Sequence, residues 1–140
     1  MLFGKRPRKV QRILIVEDEP LIAFDNEYFL KSAGYDVVAA VDGVPAAVAY
    51  IGEHELDLVL ADVRLSDGGS GRDVADAAKG KDVPLVFVTG SAPADASTMA
   101  LGVLAKPYTQ RDLLSAIEAV DAHLSGKTPK KLPGSFVLFD

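Results

Sequence analysis

Five residues of types that do chemistry stand at the ends of short apolar runs. Glu17 and Asp18 follow RILIV, Asp62 ends LDLVLAD, Thr89 ends LVFVT and Lys106 follows GVLA. If those runs are strands of a parallel sheet, their ends share one edge, so the groups converge although 89 positions separate Glu17 from Lys106. Three carboxylates gathered there repel one another by several kcal/mol at low effective dielectric, unless a cation joins them. An oxygen-rich cluster without sulfur or histidine suits a hard ion, Mg2+ before Ca2+ or Zn2+. A lysine and a threonine hydroxyl at the same edge supply what a phosphoryl group needs. One carboxylate then serves as nucleophile, giving an aspartyl-phosphate.

The elements that must position these residues are legible in the hydrophobic pattern. RILIV reads as a short buried strand that runs abruptly into acids, and Pro20 suits the first turn of the helix that follows. Leu21 to Ser32 read as that helix, carrying Leu21, Ile22, Phe24, Tyr28 and Phe29, with Gly34 as its stop. Tyr35 to Val41 is a second strand, Asp42-Gly43 a turn, and Val44, Ala47, Val48 and Ile51 follow at helical spacing. Leu56–Asp62 is the third strand, followed by a glycine-rich loop and a helix over Arg72–Lys79 that packs through Val74, Ala75 and Ala78. VPLVFVTG and GVLAKP are the fourth and fifth strands, joined by the small and polar stretch SAPADASTMA. Thr109 caps a last helix with the stripe Leu113, Ile117, Val120 and Leu124. Continuously apolar strands separated by helical segments predict a five-stranded parallel sheet covered on both faces, a doubly wound α/β domain.

Composition excludes several classes. The 140 residues suit one domain, and 49% hydrophobic residues are enough for an ordinary core. No apolar run approaches the ~18–20 residues of a membrane span. The absence of cysteine rules out disulfide scaffolds, thiolate metal sites and cysteine nucleophiles. Net charge is −5, but unevenly spread: residues 13–126 hold 19 of the 20 acids and 7 of the 15 basic groups. The other basic groups are Lys5, Arg6, Arg8, Lys9 and Arg12 at the start, and Lys127, Lys130 and Lys131 near the end. An acidic body with basic ends is not the pattern of a nucleic-acid binder. The basic start has no apolar h-region after it, so a cytoplasmic protein is expected.

VEDEP, LADVRLSDGGSG, FVTG and AKP, in that order and spacing, resemble the receiver domain of two-component response regulators, over about residues 11–125. The resemblance implies a flavodoxin-like (βα)5 fold, CheY-like, with strand order 2-1-3-4-5. It implies Asp62 as phosphoacceptor, Asp18 as direct Mg2+ ligand and Glu17 as its acidic neighbour, acting through water. The backbone carbonyl of Arg64 is the third protein ligand, Lys106 pairs with the phosphoryl oxygens and Thr89 hydrogen-bonds them. A cis peptide is expected at Lys106–Pro107. The implied donor is a sensor histidine kinase or phosphotransfer protein. The output partner is unknown, and a homodimer is left open. The chain would be no enzyme beyond catalysing its own phosphorylation and dephosphorylation.

Two departures bear on signalling. Val103 stands where the family has an aromatic switch residue, and Tyr108, beyond Pro107, does not simply replace it. The interval from Thr89 to Lys106 is short, leaving room for only a short or irregular fourth helix. PLVFVTG also resembles the PFxFATGY motif of a receiver subgroup that lacks the switch and often stands alone; Val88 and Ser91 replace its Ala and Tyr.

These readings divide the chain into a basic arm (1–11), the receiver (12–125) and a tail (126–140). Gly68, Gly69 and Gly71 match no phosphate-loop spacing and read as loop. His54 and His123 read as structural rather than phosphotransfer histidines. The tail run Phe136-Val137-Leu138-Phe139 is poorly placed in water. It would fold back over the short fourth helix, pair with a sheet edge or dock on a partner, and is expected to cover the face around the last strand and helix. The expected function is a stand-alone phosphoacceptor receiver. Its competitors are a pseudo-receiver that binds partners without phosphorylation, and a small aspartyl-phosphate hydrolase, which would want DxDx[TV] after the first strand.

Overall fold

The computed structural model describes residues 8–65 and 68–139. Most of the basic arm, including Lys5 and Arg6, and the loop residues Ser66 and Asp67 lie outside the described residues.

Strands β1 (Arg12–Val16), β2 (Asp36–Val41), β3 (Leu58–Ala61), β4 (Leu85–Thr89) and β5 (Gly102–Ala105) pair in parallel, in the order β2-β1-β3-β4-β5. Helices α1 (Pro20–Ser32), α2 (Val44–Glu53), α3 (Gly71–Gly80) and α4 (Gln110–Leu124) cover the two faces. Every residue of β3 and β4 is buried, the pattern of strands sandwiched between helices. Alternate strand residues feed two cores. Ile13, Ile15, Leu58, Leu60, Val86, Val88 and Leu104 meet Leu30 of α1 and Leu113, Ile117 and Val120 of α4. Leu14, Val16, Val59, Ala61, Phe87 and Val103 meet Ala47, Ile51, Val74 and Ala78 of α2 and α3.

Helix ends follow the local chemistry. Pro20 opens α1, Gly34 at φ +95° takes the left-handed conformation just after it, and Thr109 forms a capping box with Asp112 at the start of α4. The Lys106–Pro107 peptide is cis.

One expectation needs correction. The sheet has six strands, not five, because β6 (Phe136–Leu138) joins β5 antiparallel, Val137 opposite Val103. Of the three courses open to the tail, the structure shows the sheet edge. Among the described residues there are four α-helices, and the short fourth helical segment expected between β4 and β5 is a 3-10 turn at Ala96–Thr98. That interval is short, and the Pro93 carbonyl closes the turn by accepting from Ala96 N–H at 3.1 Å. Phe139 packs against the core that Val103 and Ala96 help to form, as do Met99 and Ala100.

Candidate functional site

Sheet register explains why distant residues meet. Val16 lies opposite Ala61, so Glu17 and Asp62 each stand one residue past a paired position, and Asp62 N–H donates to Val16 C=O at 3.0 Å. Glu17 N–H is held in turn by Val41 C=O at 2.9 Å. Thr89 lies opposite Ala105, so Lys106 is the next residue out, and its N–H donates to Thr89 C=O at 3.0 Å. Four strand ends therefore present their chemistry on one edge.

There Glu17, Asp18 and Asp62 offer oxygens that all lie within 4.8 Å of one another. The Lys106 ammonium sits among acids, 2.8 Å from Asp62 Oδ2, 2.9 Å from Glu17 Oε1 and 3.2 Å from Glu19 Oε2. Asp62 Oδ1 accepts from the backbone N–H of Val63 at 2.7 Å and of Arg64 at 3.3 Å. Glu17 Oε2 accepts from Glu19 N–H at 3.1 Å. Burial pushes the Glu17 carboxyl above its ordinary range, with the Lys106 hydrogen bond opposing it. Burial also works against the Lys106 charge, but its hydrogen bonds to Asp62 and Glu17 outweigh that and raise its pKa well above the usual value.

A hard cation fits this donor set. The ligating atoms are all carboxylate oxygens, and a cationic nitrogen already stands among them, showing that positive charge is what the geometry gathers. Arg64 pairs with Ser70 in an isolated antiparallel bridge that folds the loop after β3 back toward the site. Gly71 is required there, because a Cβ would run into the Asp62 carbonyl oxygen and lie 2.8 Å from Val63 Cα. The Thr89 side chain is buried, and its hydroxyl accepts from Ser91 N–H at 3.1 Å.

Glu19 was not among the residues singled out in the sequence, although it belongs to the same acidic run. It is the N-cap residue of α1 without a capping side-chain bond, which leaves its carboxylate to Lys106. A second missed contact joins Asn26 of α1 to the loop after β5, with Asn26 Nδ2 donating to Tyr108 Oη at 2.7 Å. Beside it a groove of about 490 Å3 opens, lined by Ile22, Asp25, Asn26, Lys106, Tyr108 and Gln110 among others. The histidines are elsewhere: His54 ends α2 and stacks on Tyr50, and His123 lies in the last turn of α4.

The family model for the response regulator receiver domain matches residues 13–118. The phyllosphere-induced regulator PhyR of Methylorubrum extorquens is 43% identical over 79 residues, 55% of this chain and 30% of that protein. Among solved structures, a CheY-like receiver domain protein from Methanospirillum hungatei superposes with a TM-score of 0.74 at 28% identity, covering 84% of this chain and 98% of that one. SdrG from Sphingomonas melonis does so at 0.69 and 36% identity, covering 81% and 98%. The chain spans between 30% and 55% of the lengths of the first curated relatives it matches.

Proposed function

This chain belongs to the response regulator receiver family, and we propose that it accepts a phosphoryl group from a phosphohistidine onto Asp62, with Mg2+ as cofactor. The observation that carries this reading is the joint placement of Glu17, Asp18 and Asp62 with Lys106 Nζ 2.8 Å from the acceptor carboxylate. Asp18 and Asp62, with Glu17 through water and the Arg64 carbonyl, would hold the ion. When bound, Mg2+ neutralises the acids and the phosphoryl oxygens.

The residues of the chain do the rest. An Asp62 carboxylate oxygen attacks phosphorus in line; the new O–P bond forms as the P–N bond to the donor histidine breaks, and the freed ring nitrogen keeps the electron pair, the imidazole leaving neutral from a ring protonated by solvent beforehand. The N–H groups of Val63 and Arg64 fix the carboxylate for that attack. Lys106 transfers its contact from the carboxylate to a phosphoryl oxygen, and Thr89 turns its hydroxyl from Ser91 toward another. The chain catalyses only its own phosphorylation and dephosphorylation. The donor is a sensor histidine kinase or phosphotransfer protein, met in the cytoplasm, and output comes from partner binding. Asp62→Asn should abolish Mg2+-dependent labelling by acetyl phosphate; labelling retained on that variant overturns the proposal.

A second reading, a partner-binding module that keeps the fold without phosphorylation, is favoured by two observations. Lys106 already closes on three carboxylates, and Val103 replaces the usual aromatic switch. Titration with beryllofluoride separates the two: a Mg2+-dependent spectral shift supports phosphoacceptance, and its absence supports the alternative.

A further inference from the structure

The outer edge of β5 carries a site distinct from the acidic pocket. Residues 135–139 lie along it as a ladder: Ala105 N–H donates to Ser135 C=O at 2.8 Å, and Phe139 N–H to Leu101 C=O at 2.8 Å. Several side chains hold the segment: Ser135 Oγ donates to Asp112 Oδ2 at 3.0 Å, Leu138 and Phe139 pack against the two cores, and Phe136 is the most deeply buried. Phe136 is 4% exposed and joins the core that Leu104, Leu113 and Ile117 help to form. Gly102 admits the segment, because a Cβ there would run into the Val137 carbonyl oxygen and stand 2.9 Å from Phe136 Cε1. The rest of the segment is less deeply buried than Phe136. β6 is three residues long, Val137 is 54% exposed, and the connection from α4 holds Gly126, Pro129, Pro133 and Gly134 with no helix or strand of its own.

We propose that the β5 edge is a docking site for an extended segment of a partner protein with an aromatic residue followed two positions later by an aliphatic one. The chain's own tail fills this site until such a segment displaces it. The seated tail defines the occupant: backbone ladder bonds give affinity, and the cleft over Gly102 selects the aromatic. The tethered tail competes at an effective concentration on the order of millimolar, so a free segment displaces it only when its concentration relative to its Kd exceeds the same ratio for the tail. The site also has a backbone link to the acidic pocket, since the Ala105 amide held by the tail immediately precedes Lys106.

Two measurements on the full chain test this. Hydrogen exchange of the wild-type protein compares amides on the two sides of the edge: Ala105 and Phe139 between β5 and the tail, against Leu101 and Lys106, which donate to Leu85 and Thr89 of β4. Exchange about 100-fold faster for the first pair is expected from local opening. Equal rates mean that the tail leaves only on global unfolding, and overturn the proposal whether or not any variant folds. A fluorescein-labelled peptide copying residues 133–140 (PGSFVLFD) should bind the Phe136→Ala chain about 10-fold more tightly than wild type. Adding Gly102→Val should remove that binding. No binding to a folded Phe136→Ala chain overturns the proposal, as does a dimer on gel filtration that exchanges tails between copies but takes no peptide.

Discussion

Lys106 does in this structure part of what a metal ion would do. Its ammonium lies between 2.8 and 3.2 Å from oxygens of Asp62, Glu17 and Glu19, and so relieves repulsion among groups that otherwise oppose folding. Lys106→Ala should therefore cost on the order of 2 kcal/mol in urea unfolding without Mg2+. The same change should tighten Mg2+ binding, because a competing cation has left, while slowing labelling by acetyl phosphate. Mg2+ titration by thermal shift checks the first effect; weaker binding in the variant would show that the lysine helps build the ion site. Tyr108 gives a pH prediction. Burial pushes its phenol above the ordinary value of 10.0, with the Asn26 hydrogen bond opposing, and burial raises Tyr35 in the same direction. A phenol held protonated in the fold means that the unfolded chain ionises first. Stability should therefore fall as pH climbs from 10.0 toward the raised values, and Tyr108→Phe should make that fall shallower. Ultraviolet titration of the four tyrosines should show one fewer late-ionising group in the variant.

At the scale of elements, the site was legible because it is written at strand ends. Asp62 and Lys106 could be placed on one edge from apolar runs alone, since parallel pairing brings carboxyl ends together whatever the sequence separation. What pattern reading could not place is instructive. Phe136-Val137-Leu138 is too short for its periodicity to choose between a sheet edge and a partner, and only the cleft over Gly102 decides it. Glu19 escaped because a third acid before Pro20 looks like a solvated helix start until register brings Lys106 beside it. On α1, Leu21, Phe24 and Tyr28 have helical spacing that suggests a core face, yet they are 79%, 65% and 68% exposed. That stripe lies on the helix whose Ile22, Asp25 and Asn26 line the groove beside Lys106. If the proposed phosphohistidine protein is the donor, this exposed apolar stripe is a surface it can dock on. Phe24→Asp should slow transfer from a cognate phosphohistidine protein at least about 10-fold while leaving acetyl phosphate labelling unchanged, since a small donor needs no docking surface. Equal slowing with both donors would mean that the substitution damaged the pocket itself.

For the whole molecule, the uneven charge of the sequence has a spatial counterpart. The acidic stretch 13–126 forms the body, and the described parts of both basic ends return to the last turns of α4. Lys9 and Val10 donate their backbone N–H groups to the Asp121 carboxylate, and Lys127 N–H donates to the carbonyl of the next residue, Ala122, at 2.9 Å. Arg8 lies over the Tyr35 ring, 4.2 Å from its centroid. The backbone bonds fix where the ends sit, and the charges they carry then act on the acidic body over distances that salt controls. The Debye length shrinks from about 30 Å at 0.01 M to about 3 Å at 1 M ionic strength. Replacing Lys127, Lys130 and Lys131 together by glutamine takes the net charge from −5 to −8 without touching a buried group, since all three lysines are exposed. The triple variant should melt below wild type at about 0.01 M salt, and the gap should close as salt approaches about 1 M. A gap that persists at high salt would trace the loss to packing of the lysine stems along α4, where Ser115, Ala119 and Ala122 share a groove with the tail, rather than to charge.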